Sequence, residues 1–289
     1  MTQENVVVDT KVNDVPMAYK ALGVTQGYAP PSPSELRFFI TGPSGEGKTT
    51  FLSSIPDTLI LDFEKGASGV IKPKANRVYI TSYDHYMQVT DKLIADGKAN
   101  TRFFKRIGID TVDEWMGVVG ERLLMEKEIE DVSDLAMGKG WALLRSRCWG
   151  RLRRLQEAGY SWVCNGHLTE KQITDPITKQ ESTVLRPVLF DSFAKLILRN
   201  SDIFARVYCL TSEVPKMASV KLPGGEVRKI QKGTEVTSVY YFDCTSLGSR
   251  EGKVRGAPSM KKRIELPAVD GWKVFEQEYN EAVKKSKGE

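Results

Sequence analysis

Residues 42–49 read Gly42-Pro43-Ser44-Gly45-Glu46-Gly47-Lys48-Thr49, followed by Thr50. The spacing G-x-x-x-x-G-K-[ST] serves one chemistry, the holding of a nucleotide's phosphates. The glycines let the backbone turn tightly, so that successive N–H groups point at phosphate oxygens. A helix beginning at Lys48 adds its positive dipole end. Lys48 is expected to bridge the β- and γ-phosphates, and the Thr49 hydroxyl to ligate Mg²⁺.

Three further side chains have types and positions that fit such a site. Asp110 closes the apolar run Arg106–Asp110 (RIGID) and is expected to hold Mg²⁺ through a bound water. Asp62, at the end of LILD, is the second choice for that role. The plainer reading of Asp110 is an N-cap acid for the helix that follows. Hydrolysis also needs a group that aligns and deprotonates water. Asp110 is followed by Thr111 rather than a glutamate, and Asp113 and Glu114 fall in the next helix, so Glu64 of Asp62-Phe63-Glu64-Lys65-Gly66-Ala67 is the better candidate. It lies just past a strand, at the carboxyl edge where open α/β sheets bind ligands. His167 closes another apolar run, Trp162–Gly166, and Lys171 follows four residues later.

These residues need a sheet to hold them. Short apolar runs without polar alternation read as buried parallel strands at 36–40, 59–62, 77–81, 106–110 and 161–167. Helical patterns alternate with them, from about Lys48 and over 84–97, 113–130 and 140–158. That alternation implies right-handed βαβ crossovers and a mostly parallel sheet flanked by helices. Residues 1–35, ending in YAPPSPSE, read as an arm and linker, and 36–266 as the core. After His167 the pattern changes. Residues 171–187 carry a turn signal at Asp175–Pro176 and read as a hairpin or mobile loop, and 190–200 as a short helix. Strands are expected at 203–210 and 236–246, with a separate hairpin over 219–230 turning at Gly224–Gly225. Residues 267–289 hold a C-terminal amphipathic helix with a basic tail.

The order of P-loop, strand-end glutamate, Ile109-Asp110-Thr111, strand-end histidine and a late basic pair, Lys253-x-Arg255, resembles the RecA family. The resemblance spans roughly residues 35–265 and is nearest the Sak-type phage single-strand annealing proteins of the AAA-domain phage family. It implies a RecA-like P-loop core with C-terminal β-hairpins, ATP and Mg²⁺ as ligands, DNA-stimulated ATP hydrolysis, single-stranded DNA binding, self-association into a ring or filament, and recombination. On that resemblance Glu64 is the catalytic base. His167 senses the γ-phosphate and passes its state to a DNA-contacting loop, and Lys253 and Arg255 reach a neighbouring subunit's ATP. Two loops are implied to contact DNA, one with Lys139 and Trp141, the other with Lys171, Lys179 and Arg186. Plainer readings stand beside these: a surface Glu64 paired to lysine, a strand-capping His167, a basic loop at 250–258, a core Trp141 and a solvated hairpin tip at Lys179. The chain lacks the large C-terminal DNA-gathering domain and the F-x-x-A interface peptide of full RecA, so annealing or mediator activity is expected rather than full strand exchange.

Composition agrees without deciding. The chain has 289 residues and net charge +5. Residues 141–289 carry 26 Lys and Arg against 17 Asp and Glu, and residues 1–140 carry 16 against 20, so any polyanion-binding surface belongs to the second half. No apolar run is long enough for a membrane span, no signal peptide is recognisable, and four scattered cysteines suit a reducing cytoplasm, a bacterial host's if the chain is phage-encoded. A phage or host single-strand-binding protein is a further expected partner. Two other functions fit the same P-loop. One is an ATP-dependent loader or scaffold for a replication protein. The other is a nucleotide kinase using the arginines at 145, 147, 151, 153 and 154 as a phosphate clamp.

Overall fold

A computed structural model of the chain describes residues 16–22, 30–65, 69–70, 72–174, 179–221, 227–245 and 252–287. Two units divide at Pro30. Among the described residues, the first contributes the short helix α1 (Met17–Lys20). The second, from Pro31 onward, holds the sheet and everything that follows.

Parallel strands buried on both faces carry apolar residues at nearly every position. β1 (Phe38–Gly42), β2 (Thr58–Asp62) and β4 (Arg106–Asp110) do so, and nearly all their residues are buried. With β3 (Asn76–Tyr79), β5 (Ser161–Thr174) and β7 (Ile203–Lys221) they form a parallel array in the order β3-β2-β4-β5-β1-β7. β8 (Val227–Asp243) and β10 (Arg263–Leu266) extend it antiparallel beyond β7, while β6 (Glu181–Pro187) folds back on β5 and β9 (Lys253–Val254) on β7. The expected mostly parallel sheet flanked by helices, with antiparallel C-terminal strands, is therefore the observed fold.

Helices cover the sheet because their apolar residues recur on one face. α3 (Tyr83–Lys98) buries Tyr86, Thr90 and Leu93, and its N-cap Ser82 accepts from the His85 amide at 3.1 Å. α4 (Val112–Lys127) buries Val112, Trp115, Val119 and Leu123. α5 (Lys139–Glu157) buries Leu144, Cys148, Leu152 and Leu155. With Phe193 and Ile197 of α6 (Asp191–Asn200) these build the core on one face. α2 (Lys48–Ser53) and α7 (Gly271–Lys287) build the other, where Phe51, Phe242, Trp272 and Phe275 pack around Phe38.

One expectation is corrected. The strand at 203–210, the hairpin at 219–230 and the strand at 236–246 are not three pieces. β7 and β8 form one long ribbon, paired from Arg206↔Asp243 out to Lys221↔Val227, with a register shift between Pro215 and Met217. The backbone ladder continues where the side-chain alternation lapses. The Asp175–Pro176 turn, the Gly224–Gly225 tip, Ala67, Arg250 and most of the N-terminal arm lie outside the described residues.

Candidate nucleotide site

The carboxyl ends of four adjacent strands meet at one edge, and each delivers its side chain there. β1 runs into the loop 42–47 and α2. Gly45 and Gly47 adopt φ of 77° and 95°, conformations that side chains with a Cβ rarely take. Gly42 is required for a different reason. A Cβ on it would stand 2.2 Å from the Val207 carbonyl oxygen of β7. Glu46 ties the loop to the same strand by accepting from the Cys209 amide.

The Lys48 ammonium is buried and donates to the carbonyls of Gly42 and Pro43 at 2.9 and 2.7 Å. Burial lowers its pKa, and the carboxylates of Asp110, Glu64, Asp113 and Glu46 oppose that shift. The Thr49 hydroxyl donates to Asp110 Oδ2 at 2.8 Å, and Asn165 of β5 donates to Asp110 Oδ1 at 3.0 Å. Burial raises the pKa of Asp110, while those two hydrogen bonds lower it. Asn165 Oδ1 is buried without a partner. An ammonium under a glycine-rich turn beside an all-oxygen Thr–Asp pair fits a nucleotide phosphate with Mg²⁺. Asp62 has another task. Its Oδ1 accepts from the amides of Glu64 and Lys65 at 3.1 and 2.8 Å, fixing the turn that presents Glu64.

Glu64 Oε1 stands 3.5 Å from His167 Nε2. The other ring nitrogen, Nδ1, lies 2.7 Å from Asp113 Oδ2, and the His167 amide donates to Asp113 Oδ1 at 3.3 Å. Burial raises the Glu64 pKa; His167 pulls it down and Asp110 and Asp113 push it up. Because an ionised Asp113 only accepts, it fixes the proton on Nδ1 and leaves Nε2 toward Glu64. Glu64, Lys48, Thr49, Asp110 and His167 are thus gathered at one edge. Asp113 and Asn165 were missed as members of the site. Asn165 carries a signal, since it stands two residues before His167 and so on the same face of the strand.

The remaining candidates lie elsewhere. Lys253, on β9, donates to the carbonyls of Leu198, Arg199 and Ser201 at the end of α6. Arg255 pairs with Asp202 at 2.9 Å. Both sit at the amino end of β7, opposite the edge that carries the P-loop of their own chain. Lys171, Lys179 and Arg186 ride on the β5–β6 hairpin, whose base includes His167 itself through the Val188 amide. Lys139 begins α5, and Trp141 packs on Phe190 beside the same hairpin with ring centroids 5.1 Å apart. The two expected DNA loops therefore stand together. Two arginines of the α5 cluster are engaged within the chain. Arg151 is bonded to Thr90, Met87 and Asp91 of α3, and Arg147 to Glu126 of α4.

A family described as AAA domain matches residues 34–243. No curated protein matches the chain. Among solved structures, one described as "Crystal structure of the RadB recombinase" is 13% identical, with TM-score 0.36, over 78% of this chain and 92% of that one. Among the described residues no helix is long and apolar enough to cross a membrane.

Proposed function

The chain belongs to the AAA domain family, and from that premise we propose that it is an ATP-hydrolysing, single-stranded DNA-binding recombination protein that anneals complementary strands. The observation that carries this reading is the continuous path from P-loop to hairpin. Glu64 lies within electrostatic reach of Lys48 and Asp110 and stands 3.5 Å from His167, and His167 is the last residue before the paired hairpin strands.

Lys48 and Thr49 would hold the phosphates, and Mg²⁺ held by Thr49 and Asp110 would neutralise phosphate charge. The nucleoside faces the cavity beside the loop, lined by Gly47, Thr50, Phe51, Tyr240, Leu266 and Pro267. Glu64, as carboxylate, orients a water and takes its proton. The proton then lies toward His167 Nε2, whose ring is held by Asp113. A change at Glu64 reaches the hairpin through the His167 backbone, and strain on the hairpin reaches Glu64 by the same route.

Annealing of two complementary labelled oligonucleotides, followed by energy transfer, tests the function. The protein is expected to accelerate annealing and to hydrolyse ATP faster with single-stranded than with duplex DNA. ATP hydrolysis indifferent to DNA, with no annealing, would sink the recombination reading. The DNA surface has its own test. Binding is expected to weaken with salt at a slope of about −0.7 per phosphate neutralised. Replacing Lys171, Lys179 and Arg186 together should flatten it by about 2, and an unchanged slope places the strand elsewhere.

A further inference from the structure

The extension of the sheet beyond β1 has two unlike faces. On one, Val207, Phe242 and Ile264 are buried against the α2–α7 core. On the other, the alternate positions of the same strands carry Arg206, Tyr208, Tyr241 and Arg263, and these are half-buried or exposed. An open antiparallel face usually carries scattered polar side chains. Here the Tyr208 and Tyr241 rings stack on each other, with centroids 5.6 Å apart and planes 27° from parallel. The Arg206 guanidinium lies 5.4 Å from the Tyr208 ring, and that of Arg263 lies 5.6 and 5.5 Å from the two rings. Asp243 is consumed beneath them, accepting from Tyr208 Oη and the Thr245 amide and pairing with Arg263 at 3.5 Å. The upper surface is thus a row of π-planes with two guanidinium charges, edged on β10 by the exposed carboxylate of Glu265 opposite Tyr241.

The row continues into a cavity lined by Thr41, Arg186, Arg206, Asp243 and Thr245. Arg206 Nε is buried there without a hydrogen-bond partner. The cavity's far wall is the β5–β6 hairpin and its floor is Thr41 of the P-loop strand. A ligand that fills this surface needs flat π-faces spaced along a chain of anions. An unpaired nucleic-acid strand has both, whereas a duplex has its base faces already stacked.

We infer that the open face of β7, β8 and β10 is a second contact surface for single-stranded DNA, with bases stacking on Tyr208 and Tyr241 and phosphates meeting Arg206 and Arg263. The inference rests on the proposed function for the identity of the polymer. The surface adjoins the hairpin cation Arg186, which lines the same cavity, and it runs the strand past the P-loop strand.

The test uses the full chain and a thirty-nucleotide oligothymidylate carrying 5-iododeoxyuridine, which crosslinks to adjacent aromatic side chains under long-wave ultraviolet light. Crosslinked peptides are expected to contain Tyr208 or Tyr241. Tyr208→Ala with Tyr241→Ala should weaken binding on the order of tenfold for each stacked base lost, while the Phe pair should bind within about twofold of the parent. Crosslinks confined to 168–187, with the Ala pair binding normally, overturn the platform and leave the proposed function standing. Failure of the unaltered chain to bind the oligonucleotide overturns both. If the Ala pair abolishes self-association in the absence of DNA and leaves DNA affinity unchanged, the occupant is a second copy and the inference is wrong.

Discussion

At the residue scale the site is a balance of buried charges. Lys48 is pulled down by burial and sustained by four carboxylates, so Lys48→Ala removes the only ammonium donating beneath the loop among the described residues and is expected to abolish ATP binding, read with a fluorescent ATP analogue. Asp110 is held above the ordinary aspartate range by burial. A carboxyl whose folded pKa is raised binds its proton more tightly in the folded state, so stability falls as pH rises through that pKa. Above that pKa the ionised Asp110 is therefore a destabilising group. Asp110→Asn is expected to raise the melting temperature without Mg²⁺, by about 2–4 °C for each kcal/mol relieved, and to abolish hydrolysis. A fall in melting temperature would contradict this. Glu64 is also raised, and only its carboxylate accepts a proton. Hydrolysis should fall on the acid side at a pH above the ordinary glutamate range of about 4.3. Asp113→Asn should lower turnover more than ATP affinity, because it frees the His167 ring and leaves the P-loop intact.

At the scale of elements, the sequence and the structure agree where local pattern decides. LRFFI before a glycine-rich loop, RIGID and LILD could only be buried strands, and their ends locate Lys48, Asp110 and Glu64. Asp113 was not legible as a site residue. An acid in the first turn of a helix is common because it complements the helix dipole. Its bond to His167 arises only when β5 is laid beside β4, with Ile109 opposite Cys164. The long β7–β8 ribbon was hidden for another reason. Pro215 and the polar run around it break the alternation of side chains, while pairing persists across the irregularity. α7, whose Gly271 lines the cavity beside the loop, serves the site mainly from behind it. Trp272, Phe275 and Tyr279 are buried behind α2, so they hold the helix whose first turn is proposed to bind phosphate. Phe275→Ala is expected to cost about 3–5 kcal/mol in a urea melt. A cost below 1 kcal/mol would mean that this core is not continuous.

At the scale of the whole molecule, we propose that the site is completed between subunits. Lys253 and Arg255 face away from the P-loop edge of their own chain, so any part they take in catalysis is taken at a neighbour's nucleotide. Specific ATPase activity should then rise with protein concentration. Lys253→Ala with Arg255→Ala should retain ATP binding and lose turnover, by on the order of 10³ where such cations act in trans. Mixing that variant with Glu64→Gln should restore activity, at interfaces where an intact cation pair meets an intact base. The contacts within one chain support a plainer outcome as well, since both side chains tie β9 to the end of α6. A lowered melting temperature with no rescue in mixtures that co-assemble would assign them to that tie alone.

In the proposed mechanism Glu64 removes the proton from the water that attacks ATP. The most direct measurement of that step is a pair of assays on Glu64→Gln, nucleotide affinity with a fluorescent ATP analogue and single-turnover hydrolysis of radiolabelled ATP. The amide keeps the shape of the side chain and cannot take the proton. Affinity is predicted to stay within about threefold of the parent, and the hydrolysis rate to fall on the order of 10²–10⁴. Hydrolysis at the parental rate, with affinity intact, would contradict the account.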